Sequence, residues 1–196
     1  MQILSIIFIV IALARPQTKN SWEEHKTEGI DIIIAMDISG SMLATDIKPN
    51  RLTAAKNIAI DFIKERKNDR VGLVIFSGES FTQCPLTTDH NSLINLYNQI
   101  EFGMVDGGTA IGEGLGTAIN RLKDSEAKSK IIILLTDGEN TVNGEVAPLT
   151  AANIAGSDLI GIKVYAICFG KETGFIRVEG KHVNGEKVRG KIPSFF

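Results

Sequence analysis

Four short and almost wholly apolar runs, separated by stretches of helical periodicity, constrain the fold of this chain most strongly. The runs cover residues 30–36, 71–76, 131–135 and 163–169. Runs without polar alternation are typical of strands buried on both faces, as in a parallel sheet. Residues 81–86 contain a proline, which cannot donate to a central ladder, and are predicted as an edge strand. The pattern predicts an α/β fold, with a doubly wound, mostly parallel sheet and helices on both faces.

Capping residues and a proline mark the helix boundaries. The predicted helices begin after Asn50, Asp89 and Thr109 and at Pro148, and the last one ends at Gly161. Asparagine, aspartate and threonine accept hydrogen bonds from free amides of a first helical turn, and proline suits that turn.

Composition excludes some function classes. The formal net charge is −2 and the Lys and Arg residues are spread along the chain, so no basic surface for nucleic acid is expected. The two cysteines, Cys84 and Cys168, fit neither a metal spacing nor a disulfide framework, and Cys168 is expected in the core.

The N-terminus carries an uncharged apolar run from Ile3 to Ala14. It is shorter than the roughly 20 residues that span a bilayer. A cleavable signal peptide and a core element are alternatives, but no basic residue precedes the run and it lacks polar alternation. We predict that residues 1–15 are part of a membrane-anchor helix whose beginning is absent, and that residues 16–29 are a linker.

The C-terminal residues 171–196 differ from the domain predicted for residues 30–170. Two short β-like segments flank Asn184 and Gly185, a pair that favours a hairpin turn. We predict a hairpin-like insertion or tail there, in a domain truncated at its C-terminal end, because no further strand and helix follow.

The segment 37–41 follows the first apolar run and places a carboxylate and two hydroxyls at alternate positions. These are Asp37, Ser39 and Ser41. Such residues can form a simple polar turn that satisfies local backbone groups. They are also the oxygen ligands that a hard divalent cation prefers.

Two later residues favour the cation site. Asp137 follows the apolar run 131–135, and Thr109 lies in a glycine-rich loop. Because ligands bind such sheets at the carboxyl ends of the strands, these side chains should meet Asp37 in one crevice. We predict Mg²⁺, with Mn²⁺ or Ca²⁺ as alternatives, bound so that one coordination position stays free for a partner's carboxylate.

The order of these motifs resembles the von Willebrand factor A (VWA) domain and its metal-ion-dependent adhesion site (MIDAS). The resemblance covers about residues 28–170 and rests on D-x-S-x-S at 37–41, GGTAIGEGL at 107–115 and LLTDGEN at 134–140. It implies five metal ligands: Asp37, Ser39, Ser41, Thr109 and Asp137.

A narrower resemblance is to the bacterial BatA group, which is linked to aerotolerance. It rests on DISGSM followed by RLTAAK, on RVGLVIFSGES and on the membrane segment ending in ALARPQ. It implies an inner-membrane protein with a periplasmic VWA domain and a role in aerotolerance or stress assembly. Arg15 and Lys19 after the apolar run weakly favour the cytoplasm instead.

The predicted function is capture of an acidic residue of a partner protein, without enzymatic activity, a small-molecule substrate or nucleic acid. A metal-dependent phosphatase of the haloacid dehalogenase type is the alternative, but that chemistry needs a second aspartate where Ser39 stands. A nucleotide-binding domain is disfavoured because the glycine-rich stretch does not follow a strand. A structural scaffold with a permanently filled site is the third reading.

Overall fold

A computed structural model describes residues 29–138, 140–142, 144 and 146–170, together with two short strands at 178–181 and 187–190. The predicted anchor, almost all of the linker and the turn at Asn184 and Gly185 lie outside the described residues. In the described part of the chain, no helix is long and apolar enough to cross a membrane.

A five-stranded sheet forms the centre of the domain, in the order β3-β2-β1-β4-β5. All neighbouring strands are parallel except β3, which pairs antiparallel with β2 at one edge. The strands are β1 (Asp31–Asp37), β2 (Arg70–Phe76), β3 (Ser80–Thr87), β4 (Lys130–Thr136) and β5 (Ile162–Cys168). The predicted doubly wound, mostly parallel sheet and its proline-bearing edge strand are confirmed.

In the part of the chain that the structure describes, four α-helices cover the two faces of the sheet. They are α1 (Arg51–Lys64), α2 (His90–Gln99), α3 (Ile111–Leu122) and α4 (Pro148–Ala155), with a short 3₁₀ helix at Gly40–Leu43. Helices α1 and α2 contribute to one hydrophobic cluster, and α3 and α4 to a second on the opposite face. The predicted helices on both faces are therefore present.

Strand β1 lies between the two clusters, which explains why its sequence lacks polar alternation. Ile32, Ile34 and Met36 belong to the cluster of α1 and α2, whereas Ile33 and Ala35 belong to the other. Each fully buried large side chain contributes about 1.5–3 kcal/mol to folding. The carboxyl end of β1 is thereby held at the middle of the sheet.

The predicted helix start after Asn50 and the predicted cap at Asp89 are confirmed, whereas the predicted cap at Thr109 is wrong. The Asn50 side chain accepts a hydrogen bond from the Thr53 amide at 2.7 Å, and Asp89 accepts one from Ser92 at 3.0 Å. Thr109 does not cap α3, whose N-cap residue is Ala110.

Two further expectations were wrong. Helix α4 ends at Ala155 with Gly156 as its C-cap, and Gly161 instead takes a positive φ of 61° in the turn before β5. Cys168 is exposed rather than in the core, because β5 is the last strand of this sheet. The tail contains the antiparallel pair β6 (Val178–Lys181) and β7 (Lys187–Gly190).

Candidate metal centre

Asp37 ends the central strand β1 and is fully buried, with 0% exposure. Its Oδ1 accepts a hydrogen bond from the backbone amide of Ser39 at 2.9 Å. Its Oδ2 accepts one from Oγ1 of Thr136, on the neighbouring strand β4, at 2.6 Å. Because both oxygens have a donor, the carboxylate is held in one orientation at the carboxyl edge of the sheet.

The two serines lie beside each other at the start of the 3₁₀ helix. Their Oγ atoms are 3.0 Å apart. The amide of Met42 donates to the carbonyl of Ser39 at 3.1 Å, and the Met42 side chain is buried in the core. A buried side chain one residue after Ser41 therefore fixes this turn against the domain.

Asp137 follows β4 directly, and its side chain is only 1% exposed. Its Oδ2 accepts a hydrogen bond from Nη1 of Arg51, the first residue of α1, at 3.1 Å. The other edge of the same guanidinium contacts both carboxylate oxygens of Asp46, at 2.8 and 2.9 Å. Arg51 thus links the loop before α1 to the second carboxylate of the site.

Thr109 is buried at the end of the loop that leads into α3. Its amide donates to Oγ1 of Thr141 at 2.9 Å, and its carbonyl accepts from the Thr141 amide at 3.0 Å. Gly108 before it has a φ of 107°, and a Cβ there would lie 2.4 Å from Val142. Only glycine permits this approach, which brings Thr109 against the loop that follows Asp137.

Asn140 has the role at α3 that Thr109 was expected to have. Its Oδ1 accepts a hydrogen bond from the amide of Ile111, at the first turn of the helix, at 3.0 Å. Its Nδ2 donates to the carbonyl of Val142 at 3.0 Å. A side chain from a distant loop therefore accepts a hydrogen bond from a backbone amide at the start of α3.

The electrostatics of the site favour a bound cation. Burial is the main cause that raises the pKa of Asp37 above its usual range, and the nearby charge of Asp137 raises it further. Hydrogen bonds from Ser39 and Thr136 act in the opposite direction. Two buried carboxylates that repel each other are stabilised when a divalent ion offsets their charge.

The donor set fits a hard ion that accepts neutral oxygen ligands. Among the described residues, no three His, Cys, Asp or Glu side chains come together as a metal-binding group. A metal here would therefore need the hydroxyls of Ser39, Ser41 and Thr109 besides the two carboxylates, which is ligand chemistry suited to Mg²⁺ or Ca²⁺.

Three residues of this region were missed by sequence reasoning: Thr136, Arg51 and Asp46. Thr136 stands next to Asp137 at a strand end, and that position was its only local signal. Arg51 is separated from Asp137 by 86 positions, and nothing in the local pattern pairs them.

Comparison with known proteins identifies the family. The family model of the von Willebrand factor type A domain matches residues 32–139, more than half of the chain. The chain belongs to the VWA domain family. This confirms the resemblance found in the sequence, and the family is in general one of protein-interaction domains rather than of enzymes.

Solved structures of bacterial proteins are similar to this VWA chain. An aerotolerance-related membrane protein from Bacteroides fragilis is 30% identical with a TM-score of 0.68, covering 83% of this chain and 82% of that chain. BatB from Bacteroides thetaiotaomicron is 32% identical with a TM-score of 0.68, covering 84% and 82%. The predicted similarity to aerotolerance-related bacterial VWA proteins is confirmed, and one of these two neighbours is BatB.

A more distant structural neighbour contains a metal. Proximal thread matrix protein 1 from the mussel byssus, in a structure with a zinc-occupied MIDAS motif, is 25% identical with a TM-score of 0.62. The match covers 73% of this VWA chain and 36% of that chain. Divalent metal binding is therefore present in a VWA structure of similar fold.

The curated relatives are longer than this chain. An uncharacterized protein from Borreliella burgdorferi is 33% identical over 195 residues, which are 98% of this chain and 56% of that protein. The chain spans about half the length of the curated relatives it matches.

Proposed function

We propose that this VWA domain binds a divalent cation, Mg²⁺ in the cell, and uses it to capture an acidic residue of a partner protein. Asp37, Ser39, Ser41, Thr109 and Asp137 would hold the ion. The proposal includes anchoring of the domain to the bacterial inner membrane by the N-terminal apolar segment, on the periplasmic side. It also includes a role in aerotolerance or stress assembly.

One observation carries the proposal: two buried carboxylates lie at the carboxyl ends of the neighbouring parallel strands β1 and β4. Asp37 is fully buried, the Asp137 side chain is 1% exposed, and the charge of Asp137 raises the pKa of Asp37. Keeping two such charges out of water is costly without a counter-charge. The Arg51 guanidinium offsets part of this negative charge but is itself paired with Asp46, so binding of a cation is still favoured.

The chain's own residues prepare the site for the ion. Thr136 and the Ser39 amide orient Asp37, the Arg51 guanidinium holds one oxygen of Asp137, and the adjacent hydroxyls of Ser39 and Ser41 add neutral donors. When bound, the metal would supply a positive centre to which a carboxylate from outside can coordinate. Supporting contacts of this kind usually matter for metal affinity almost as much as the ligands.

The membrane and aerotolerance parts of the proposal are supported by the named neighbours and by the sequence of residues 3–14. The protein from Bacteroides fragilis is described as an aerotolerance-related membrane protein. The apolar run of this chain is uncharged, as a bilayer segment would be.

Isothermal titration with Mg²⁺, followed by capture from native membranes with and without EDTA, tests the proposal. Asp37→Ala should abolish both Mg²⁺ binding and capture. Asp61→Ala removes an exposed carboxylate on α1 and should change neither. If Asp37→Ala retains Mg²⁺ binding and capture, the proposal is wrong.

The same protein can be assayed for the phosphatase alternative. Phosphate release from a general phosphoester that is lost in Asp37→Asn would replace the adhesion proposal by an enzymatic one. We expect no release, because Ser39 cannot provide the proton transfer that a second aspartate would.

A further inference from the structure

Three large apolar side chains are exposed on segments that lead to or from the residues of the candidate metal site. They are Leu43, Phe102 and Met104, with 40%, 53% and 45% of their surface accessible. We call these three residues the apolar rim. Leu43 is two positions after the predicted ligand Ser41, and the loop that carries Phe102 and Met104 leads to the predicted ligand Thr109.

The aromatic member of the rim lies directly over the turn of the metal motif. A Cβ placed on Gly40 would be 3.6 Å from Cε2 of Phe102. Gly40 separates Ser39 from Ser41, so the ring lies beside the turn that carries these two serines.

Leu43 is held in position by its own helix. The preceding residue Met42 is fully buried, which fixes the 3₁₀ helix against the core and leaves Leu43 at the surface.

The loop that carries the other two rim residues is anchored at both ends. The Lys56 side chain donates to the carbonyls of Asn98 and Ile100 at 3.1 and 3.0 Å, and Ile100 is buried. At the other end, the amide of Gly78 donates to the carbonyl of Asp106 at 2.8 Å. Phe102 and Met104 are therefore presented on a defined turn.

A hydrogen bond within the turn also holds Phe102 and Met104 in place. The Glu101 amide donates to Sδ of Met104 at 3.2 Å, and Gly103 between them takes a φ of 89°. Large apolar side chains that are exposed on anchored segments beside a polar region are often part of interaction surfaces.

We propose that the apolar rim and the metal site together form a two-part docking surface for a partner segment in which an Asp or Glu adjoins a large aliphatic or aromatic residue. The inference rests on the proposed function, because the metal would take the carboxylate. The rim then buries the neighbouring side chain and selects among acidic segments. Burying one such side chain contributes roughly tenfold or more in affinity.

The test uses the 196-residue chain, Mg²⁺ and two synthetic pentapeptides. One peptide has leucine and phenylalanine on either side of its aspartate, and the matched one has alanines there. Titration calorimetry should show that the wild type prefers the apolar-flanked peptide by about tenfold, and that EDTA abolishes binding of both.

Two variants each remove one rim side chain, and a third variant serves as the control. Phe102→Ala and Met104→Ala should reduce the preference to about twofold or less while leaving Mg²⁺ affinity unchanged. Phe81→Ala removes an exposed phenylalanine from the edge strand β3 and should retain the full preference.

The outcomes separate failure of the rim from failure of the metal site. Equal, Mg²⁺-dependent binding of both peptides overturns the rim and leaves the proposed function standing. If neither peptide binds in the presence of Mg²⁺, the rim proposal and the proposed function are both wrong. If Phe102→Ala instead changes the oligomeric state in analytical ultracentrifugation and not the peptide preference, the rim pairs two copies of the chain and this proposal is wrong.

Discussion

The hydroxyl of Thr136 offers the sharpest test of how the site is built. Oγ1 donates to Oδ2 of Asp37 at 2.6 Å and accepts from the amide of Gly138 at 3.1 Å, and the residue is 2% exposed. Thr136→Val keeps nearly the same shape and removes both hydrogen bonds. Thr136→Ser keeps the hydroxyl and is the matched control.

The magnitude follows from the charge of the acceptor. A hydrogen bond to an ionised group contributes about 1.5–3 kcal/mol, about twice a neutral one. Gly138 is exposed, so water can replace the partner of its amide and little is added there. We therefore expect Thr136→Val to lower the free energy of unfolding by about 2 kcal/mol at neutral pH without metal.

The loss should depend on pH because it acts through the ionised carboxylate. The folded-state pKa of Asp37 is already raised by burial, so folding stability is greater below the unfolded pKa and falls as pH rises through the folded pKa. Thr136→Val removes a bond that stabilises the ionised form, which raises this pKa further. Its destabilisation should therefore shrink as Asp37 takes up a proton in acid.

Urea unfolding in EDTA at neutral and acid pH, together with Mg²⁺ titration, measures these effects. We expect Thr136→Val to weaken Mg²⁺ binding by about tenfold or more, as removal of a hydrogen bond that orients a metal ligand commonly does. Thr136→Ser should stay close to the wild type in Mg²⁺ affinity. Equal destabilisation by Thr136→Val at both pH values would refute the role of the hydroxyl as a donor to an ionised Asp37.

Three further predictions concern the same domain. Asp37→Asn should raise the unfolding free energy in EDTA at neutral pH by about 1 kcal/mol, because it removes a buried charge, and should abolish the Mg²⁺-induced rise in melting temperature. Arg51→Met should lower the unfolding free energy in EDTA by about 3 kcal/mol, because the Asp137 carboxylate loses its contact with the guanidinium. Saturating Mg²⁺ should recover part of this loss, and an equal loss with and without Mg²⁺ would contradict the prediction. In helix α3, Gly112→Ala should lower the free energy of unfolding in urea by more than about 2 kcal/mol, since its Cβ would lie 1.8 Å from a backbone carbonyl oxygen. Gly116→Ala, whose Cβ would have nothing within 4 Å, should instead raise it by about 0.5–1 kcal/mol.

Much of the fold could be predicted because its signals are local. The run 30–36 is apolar at nearly every position, since β1 has a cluster on each face. Asn50 and Asp89 cap helices by contacts only three residues long. The α4 boundary was placed wrongly at Gly161, because a glycine in a turn and a glycine at a helix end have the same local pattern.

The candidate site was predictable only in part. Asp37 and Asp137 each follow an apolar strand, so their place at the carboxyl edge follows from strand direction. Thr109 was assigned two roles, and its role as a helix cap failed because Asn140 reaches that helix end from another loop. Such a contact depends on loop positions that no local pattern specifies.

The amino-acid order by itself determined the alternation of strands and helices and the oxygen-rich chemistry of Asp37, Ser39, Ser41, Thr109 and Asp137. These depend on periodicity and side-chain type, which are properties of neighbouring residues. Only the tertiary structure decided that Thr136 holds Asp37, that Arg51 reaches Asp137, and that Phe102 lies beside Gly40. The reason is physical: burial, counter-charges and contacts across loops arise when distant segments pack together, and packing joins residues that are far apart in sequence.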